Sequence, residues 1–495
     1  MTARGVVAAL ASALLIISTG RGTSGVTLDA MQETRFWTGC DPGPVGLPPW
    51  PENVQTHVPD PGPTRRATLK VALDSASAHA PILGTGFNLE HALWTCPGFH
   101  DVFARDILEP FNPAIGRVDT GLLPAAPPDL SAGELGPDVY EAVLSSPQYA
   151  DSWAFMKQLE NSDVRIVLGV WGGPAQFTDD GTRRGTLEPS HYDDYVTYVA
   201  TVVDFIQRQG ISIWATTIAN EPDGGDGNQI PPDGLAYIAH QLAPRLAPLG
   251  VRLYGPDTAN ADEAMQYLPL LLDDPAIESS MAFVGFHEYD ANTDVRTVVD
   301  YVHSHDPQLP VVVTEYTSFG YGDLDAGQEA DDRVGFTLDV VNTLLSHYDN
   351  GVDAAVYWDA VDYLQPGHDA ITRWGLLRGP AQQFAPRTRY FGLLQVLPYL
   401  RPGTRVLTST QDDVEGLSTL AVQTAQGRPA IFIVNQGSDP VDLDVRLNGR
   451  SAGELDVFRT DRGHKAESLG RVAVQNGAVE LAMPPRSLTT LAASS

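Results

Sequence analysis

The sequence predicts an α/β protein, a (β/α)8 barrel carrying a C-terminal antiparallel β-sandwich. Three observations lead there. Eight short, near-continuously apolar runs alternate with segments of helical period between about residues 82 and 402. After Pro402 the pattern changes to short alternating runs separated by turn residues such as Asn448-Gly449 and Gln475-Asn476-Gly477. The chain has 495 residues, enough for two or three domains with a large core.

The elements follow in order. Residues 1–25 carry Arg4, an apolar run from Val6 to Ile17 and then Ser18-Thr19-Gly20. That is the layout of a secretory signal peptide, with an apolar run too short to span a bilayer. Residues 26–66 form a Pro/Gly-rich arm, with Pro48-Pro49-Trp50-Pro51 and Pro59-Asp60-Pro61-Gly62-Pro63 fixing an extended backbone. Residues 67–74 alternate like a half-exposed strand and are expected to join the C-terminal sandwich.

The barrel is expected over residues 75–402. Its strand runs are Ile82–Leu89, Ala114–Val118, Val164–Trp171, Ile211–Ala219, Val251–Tyr254, Met281–Phe286, Pro310–Thr314 and Val352–Trp358. Between them, Tyr192, Tyr195, Val196, Val199, Val203 and Ile206 recur at helical steps in 190–209, with Ser190 as the expected N-cap and Gly210 as the stop. Residues 329–349 repeat the pattern with Val334, Leu338, Val341, Leu344 and Leu345. The competing fold is a doubly wound open sheet. Its usual phosphate turn is absent, because the first strand ends Gly84-Thr85-Gly86-Phe87-Asn88. The sandwich is expected over residues 403–495.

Composition narrows the function. Lys+Arg number 31 against 62 Asp+Glu, a formal charge of −31. That excludes the basic stripes that bind nucleic acid, and docking on anionic lipid. Cys40 and Cys96 are the only cysteines, and in an exported chain they read as a disulfide contributing about 4 kcal/mol. HExxH, Walker and Gly-x-Ser-x-Gly motifs are missing. Asp223-Gly224-Gly225-Asp226-Gly227-Asn228 offers oxygen ligands without EF-hand spacing and reads as a polar loop. No metal or cofactor is expected.

Barrel enzymes gather their functional residues at the C-terminal ends of strands. Here those ends read Arg117-Val118-Asp119, Trp171-Gly172-Gly173-Pro174, Asn220-Glu221-Pro222, His287-Glu288-Tyr289, Glu315-Tyr316 and Trp358-Asp359. Glu221 and Glu315 would face one mouth. Two carboxyls in one cleft are what glycosidic cleavage uses, one as acid/base and one at the anomeric carbon.

The motifs Ala219-Asn220-Glu221-Pro222 and Val312-Val313-Thr314-Glu315 resemble the acid/base and nucleophile strands of the clan A retaining glycoside hydrolases. Arg117, His287, Tyr289 and Trp358 resemble further positions of that clan's site. The likeness to glycoside hydrolase families 5, 30 and 39 covers roughly residues 80–400. Arg389-Tyr390-Phe391-Gly392-Leu393 through Tyr399-Leu400-Arg401-Pro402-Gly403 is similar to the last barrel helix leading into the family 30 side sandwich. The ending from Pro484 to Leu491 is similar to that sandwich's closing strand.

The resemblance implies Glu221 as acid/base and Glu315 as nucleophile, and the residue chemistry agrees. Arg117 supplies a permanent charge to keep Glu315 ionised. Tyr289 is placed to donate to Glu315, His287 to Glu221 or substrate, and Asn220 to a sugar 2-hydroxyl. Trp171 and Trp358 present flat apolar faces to a sugar ring. The expectation is a secreted monomer that cleaves β-linked oligo- or polysaccharides by double displacement. A catalytically silent carbohydrate-binding barrel and a transglycosylase are the alternatives. Carboxyls about 5–5.5 Å apart would mark the retaining geometry.

Overall fold

The computed structural model describes residues 62–76, 80–89, 93–119, 127, 129–224, 227–291, 294–318, 334–363, 372, 374–380, 383–449 and 453–493. The expected signal peptide, nearly all of the arm, and Cys40 lie outside these residues. Cys96 is buried and disulfide-bonded.

Strand β1 is Arg65–Ala76. Eight parallel strands then close a barrel in sequence order: β2 Gly84–Leu89, β3 Ile115–Asp119, β4 Arg165–Gly169, β5 Ile213–Thr216, β6 Arg252–Pro256, β7 Met281–His287, β8 Val311–Tyr316 and β9 Ala354–Tyr357. They are near-continuously apolar because both faces are covered. Inward side chains such as Ile115, Val167, Ala215, Tyr254, Phe283, Val312 and Val356 form the barrel core. Outward faces pack under helices such as Tyr192–Arg208. That helix starts one residue later than a Ser190 cap would place it, with His191 at the N-cap position. Ser190 lies in a 3₁₀ turn, Pro189–His191, and its hydroxyl donates to Glu188 instead. Gly210 ends the helix at φ 79°, as its lack of a Cβ allows.

Close packing inside the barrel uses glycine at β2. A Cβ on Gly86 would lie 2.4 Å from the carbonyl oxygen of Ile115, backbone that cannot yield. Gly86→Ala should therefore cost roughly 1–3 kcal/mol. The check is urea unfolding, where the midpoint should fall with the slope unchanged.

The C-terminal strands are β10 Arg405–Gln411, β11 Leu417–Gln423, β12 Pro429–Asn435, β13 Val441–Asn448, β14 Glu454–Thr460, β15 Glu467–Ala473, β16 Ala478–Met483 and β17 Ser487–Ala493. With β1 they form one sheet in the order β15-β14-β17-β12-β11-β10-β1-β13-β16. Side chains from both of its halves share one core, from Leu69, Val71, Val445 and Val479 on one side to Ala421, Ile433, Val457 and Leu491 on the other. The sheet thus folds over itself as a sandwich. This corrects the expected antiparallel sandwich, because β1 pairs with β13 in parallel over Arg65–Ala72. β1 arrives from the far end of the chain, so no hairpin dictates its direction. It joins antiparallel β10 on its other side.

The helix Val334–Asp349 packs between β8 and the sandwich strands β11, β12 and β17. Gln395 adds a polar tie, donating to Thr490 Oγ1 at 3.1 Å and accepting from Thr460 Oγ1 at 2.8 Å. β17, covered by the core on one face and by this helix on the other, is buried almost throughout.

Candidate active site

The site sits at the C-terminal ends of the barrel strands, and Arg117 is its hub. Its side chain is wholly buried at the end of β3. Nη1 donates to Glu315 Oε1 at 2.6 Å and to Asn88 Oδ1 at 2.7 Å. Nη2 donates to Asn220 Oδ1 at 2.6 Å and Asp257 Oδ2 at 2.8 Å, and Nε to Tyr254 Oη at 3.1 Å. All five guanidinium protons are spent on strand ends from around the barrel, which a lysine could not reproduce. The planar group also lies 4.2 Å over the ring of Trp171. One indole face is therefore occupied by the protein itself. Trp171 in turn tilts against Trp358, with ring centroids 6.0 Å apart.

A register shift builds the other half. Phe286 pairs with Val313, yet His287 pairs with Glu315, so Thr314 is the extra residue of a bulge in β8. The bulge sets His287 and Glu315 side by side. Tyr289, two residues on, donates its hydroxyl proton to Glu315 Oε2. Glu315 is thereby held on one oxygen by Arg117 and on the other by Tyr289. Burial pushes its carboxyl up, while His287 and Arg117 favour its charged form.

Glu221 follows β5 on an irregular segment. Asn220 N–H donates to Val170 O at 2.7 Å and Glu221 N–H to Asp257 O at 2.9 Å, which carries the strand's hydrogen bonding up to the site. Glu221 itself sits at φ 43°, a left-handed conformation that costs a non-glycine residue energy and recurs at functional positions. Its side chain keeps 13% exposure against 4% for Glu315. His287 Nδ1 lies 2.9 Å from Glu221 Oε1.

The two glutamates approach closely. A carboxylate oxygen of Glu221, one of Glu315 and a ring nitrogen of His287 all lie within 4.8 Å of one another. Carboxyl groups with oxygens this close can both reach one glycosidic bond. The three groups have the ligand types of a metal site, but they are used on one another and on Arg117 and Tyr289.

His287 is buried between three carboxylates. Burial alone would lower its pKa; the negative charges of Glu315 and Asp257 and the hydrogen bond to Glu221 outweigh it and push it up to about 10. Asp257 is held well below the carboxylate range despite its burial, by Arg117, His287 and the Thr314 hydroxyl that donates to it at 2.6 Å.

No protein-family model matches the chain. Two Caenorhabditis elegans proteins provisionally named glucosylceramidase 2 and glucosylceramidase 4 are similar to it. They are 21% identical over 270 residues and 23% identical over 315, covering 50% and 58% of this chain. The chain spans about half of those relatives, 51% and 59% of their lengths. Among solved structures, a family 30 endoxylanase from Clostridium papyrosolvens C71 superposes with a TM-score of 0.66 at 17% identity, over 86% of this chain and 100% of that one. The chain shares the fold of that glycoside hydrolase.

In this barrel, all eight residues singled out in the sequence meet in one network. Asn88, Tyr254, Asp257 and Thr314 belong to it as well and were missed. Asn88 and Asp257 stand just where β2 and β6 end, so the strand-end rule was sufficient to find them. Glu288, between His287 and Tyr289, turns away and accepts from the N–H of Ala261 and of Asp290. The loop after Glu221 divides its polar groups among separate partners. Asp223 accepts from Ala259 N–H at 3.1 Å, and buried Asn228 bridges Gly173 N–H and Arg183 O.

Proposed function

We propose that the chain is an exported glycoside hydrolase that cleaves β-linked glycans with retention of configuration. Glu315 attacks the anomeric carbon, and Glu221 protonates the leaving oxygen and later deprotonates the water. The observation that carries this reading is the pairing of a partly open Glu221 with a buried, cation-clamped Glu315, their oxygens within 4.8 Å. Arg117 supports the nucleophile's charge, and Tyr289 shares its other oxygen until the ester forms. Asn220, with its amide orientation set by Arg117, is proposed to meet the sugar 2-hydroxyl. Trp358 and the free edge of Trp171 are proposed to wall the sugar ring.

Export is inferred from the charged start and apolar run of residues 1–25. No helix among the described residues is long and apolar enough to cross a membrane. The relatives' names make β-glucosides and β-xylan the first substrates to try. Purified chain should release aryl alcohol from at least one 4-nitrophenyl β-glycoside, or sugar from xylan. The first-formed product should carry the β-anomeric configuration by proton NMR. Binding without turnover across that panel would support a silent carbohydrate-binding barrel instead.

A further inference from the structure

His287 contacts both carboxyls of the proposed reaction. Its Nδ1 lies 2.9 Å from Glu221 Oε1, while Nε2 lies 3.4 Å from Glu315 Oε1 and 3.6 Å from Asp257 Oδ1. The ring is wholly buried, so its protons pass to these groups before they pass to water. The facing charges come from each packed element: Glu221 and Asp223 after β5, Asp257 after β6 and Glu315 on β8. Arg117, from β3, reaches the ring's surroundings through the same Asp257 and Glu315 carboxylates. Tyr289 meets the ring edge-on, with centroids 6.2 Å apart. Near this ring, then, negative charge exceeds positive.

We propose that His287 is a positioning residue that stores the acid's proton. The free enzyme holds it as an imidazolium donating Nδ1–H to an ionised Glu221, and it yields that proton in step with esterification of Glu315. The idea rests on the retaining reading of the site. In glycosylation, Glu315 bonds to the anomeric carbon and the glycosidic C–O bond breaks. The departing electron pair takes a proton from Glu221, which has received it from Nδ1, and the ring ends neutral. In deglycosylation, water bonds to the same carbon and the ester C–O bond breaks, returning its electron pair to Glu315. The water's proton passes through Glu221 back to Nδ1.

This order keeps the formal charge of the cluster constant. Glu315 loses its negative charge as His287 loses its positive one, and both return together. In a site shielded from water, a change of net charge costs far more than in solution. The direction of each step is built in. A charged Glu315 favours the imidazolium, and an esterified one withdraws the nearest support for it.

The test is a pH titration of the full chain labelled with ¹⁵N-histidine, followed by NMR. The wild-type His287 ring should stay doubly protonated beyond pH 8. Glu315→Gln removes the charge as the ester does and should lower the midpoint by about 1–3 units. Glu221→Gln should lower it too, so that the loss of one variant to misfolding leaves the other to decide. A neutral ring at pH 7 in the wild type, or midpoints unmoved in both variants, overturns the proposal. A second arm uses turnover. His287→Asn keeps a donor near the Nδ1 position but stores no proton. Its kcat/KM, which reports glycosylation, should fall about 100-fold on an alkyl glycoside, with little loss on a dinitrophenyl glycoside. Equal losses on both substrates contradict proton storage. The titration needs no activity, so an inert wild-type chain with the expected titration would refute the glycosidase reading separately.

Discussion

Glu315→Ala should abolish turnover of every substrate, with a loss on the order of 10⁶-fold, the scale seen when a covalent nucleophile is removed. The reason is positional as well as chemical. Glu315 is the carboxylate on which Arg117, Tyr289 and the buried His287 converge. No other carboxyl in the cluster is so placed: Asp257 is bound between Arg117 and Thr314, below the mouth. The smaller Glu315→Gly leaves a cavity for azide, which should then attack an activated glycoside directly and yield a glycosyl azide of inverted configuration. Product analysis by NMR checks both outcomes. Residual turnover of natural substrate by Glu315→Ala would mean that another group forms the intermediate.

Glu221→Ala should behave differently, because its work is proton transfer. An unactivated polysaccharide should lose roughly 10²–10⁴-fold in rate without its general acid. An aryl glycoside with a good leaving group needs no proton, so the first step survives and hydrolysis of the intermediate becomes limiting. Added azide should restore turnover and give a product of retained configuration, since azide needs no general base. Steady-state rates with and without azide, on good and poor leaving groups, provide the measurement. Polysaccharide cleavage unchanged by Glu221→Ala would reduce Asn220-Glu221-Pro222 to a turn.

Much of this was legible in the sequence, for identifiable reasons. Strands buried on both faces must be apolar throughout, so the barrel strands stand out as runs such as Val311-Val312-Val313. A parallel barrel then points every strand end to one mouth, so Glu221 and Glu315 could be paired without knowing a single distance. What stayed hidden depends on register and on direction. The bulge at Thr314 leaves no mark in composition, yet it puts His287 beside Glu315. The parallel pairing of β1 with β13 joins residues far apart in the chain, and alternation alone carries no strand direction. Ser190 satisfied a capping rule that the preceding Pro189 overrode by starting a 3₁₀ turn.

In the proposed mechanism a sugar becomes covalently bound to Glu315 while Glu221 manages the proton. Peptide mass spectrometry of Glu221→Ala, quenched during turnover of an activated aryl β-glycoside that the wild type cleaves, tests it most directly. One glycosyl unit is expected on the peptide that contains Glu315, lost when azide is added before the quench. A glycosyl unit on any other residue, or an unmodified protein while the aryl alcohol is released in a burst, would contradict it.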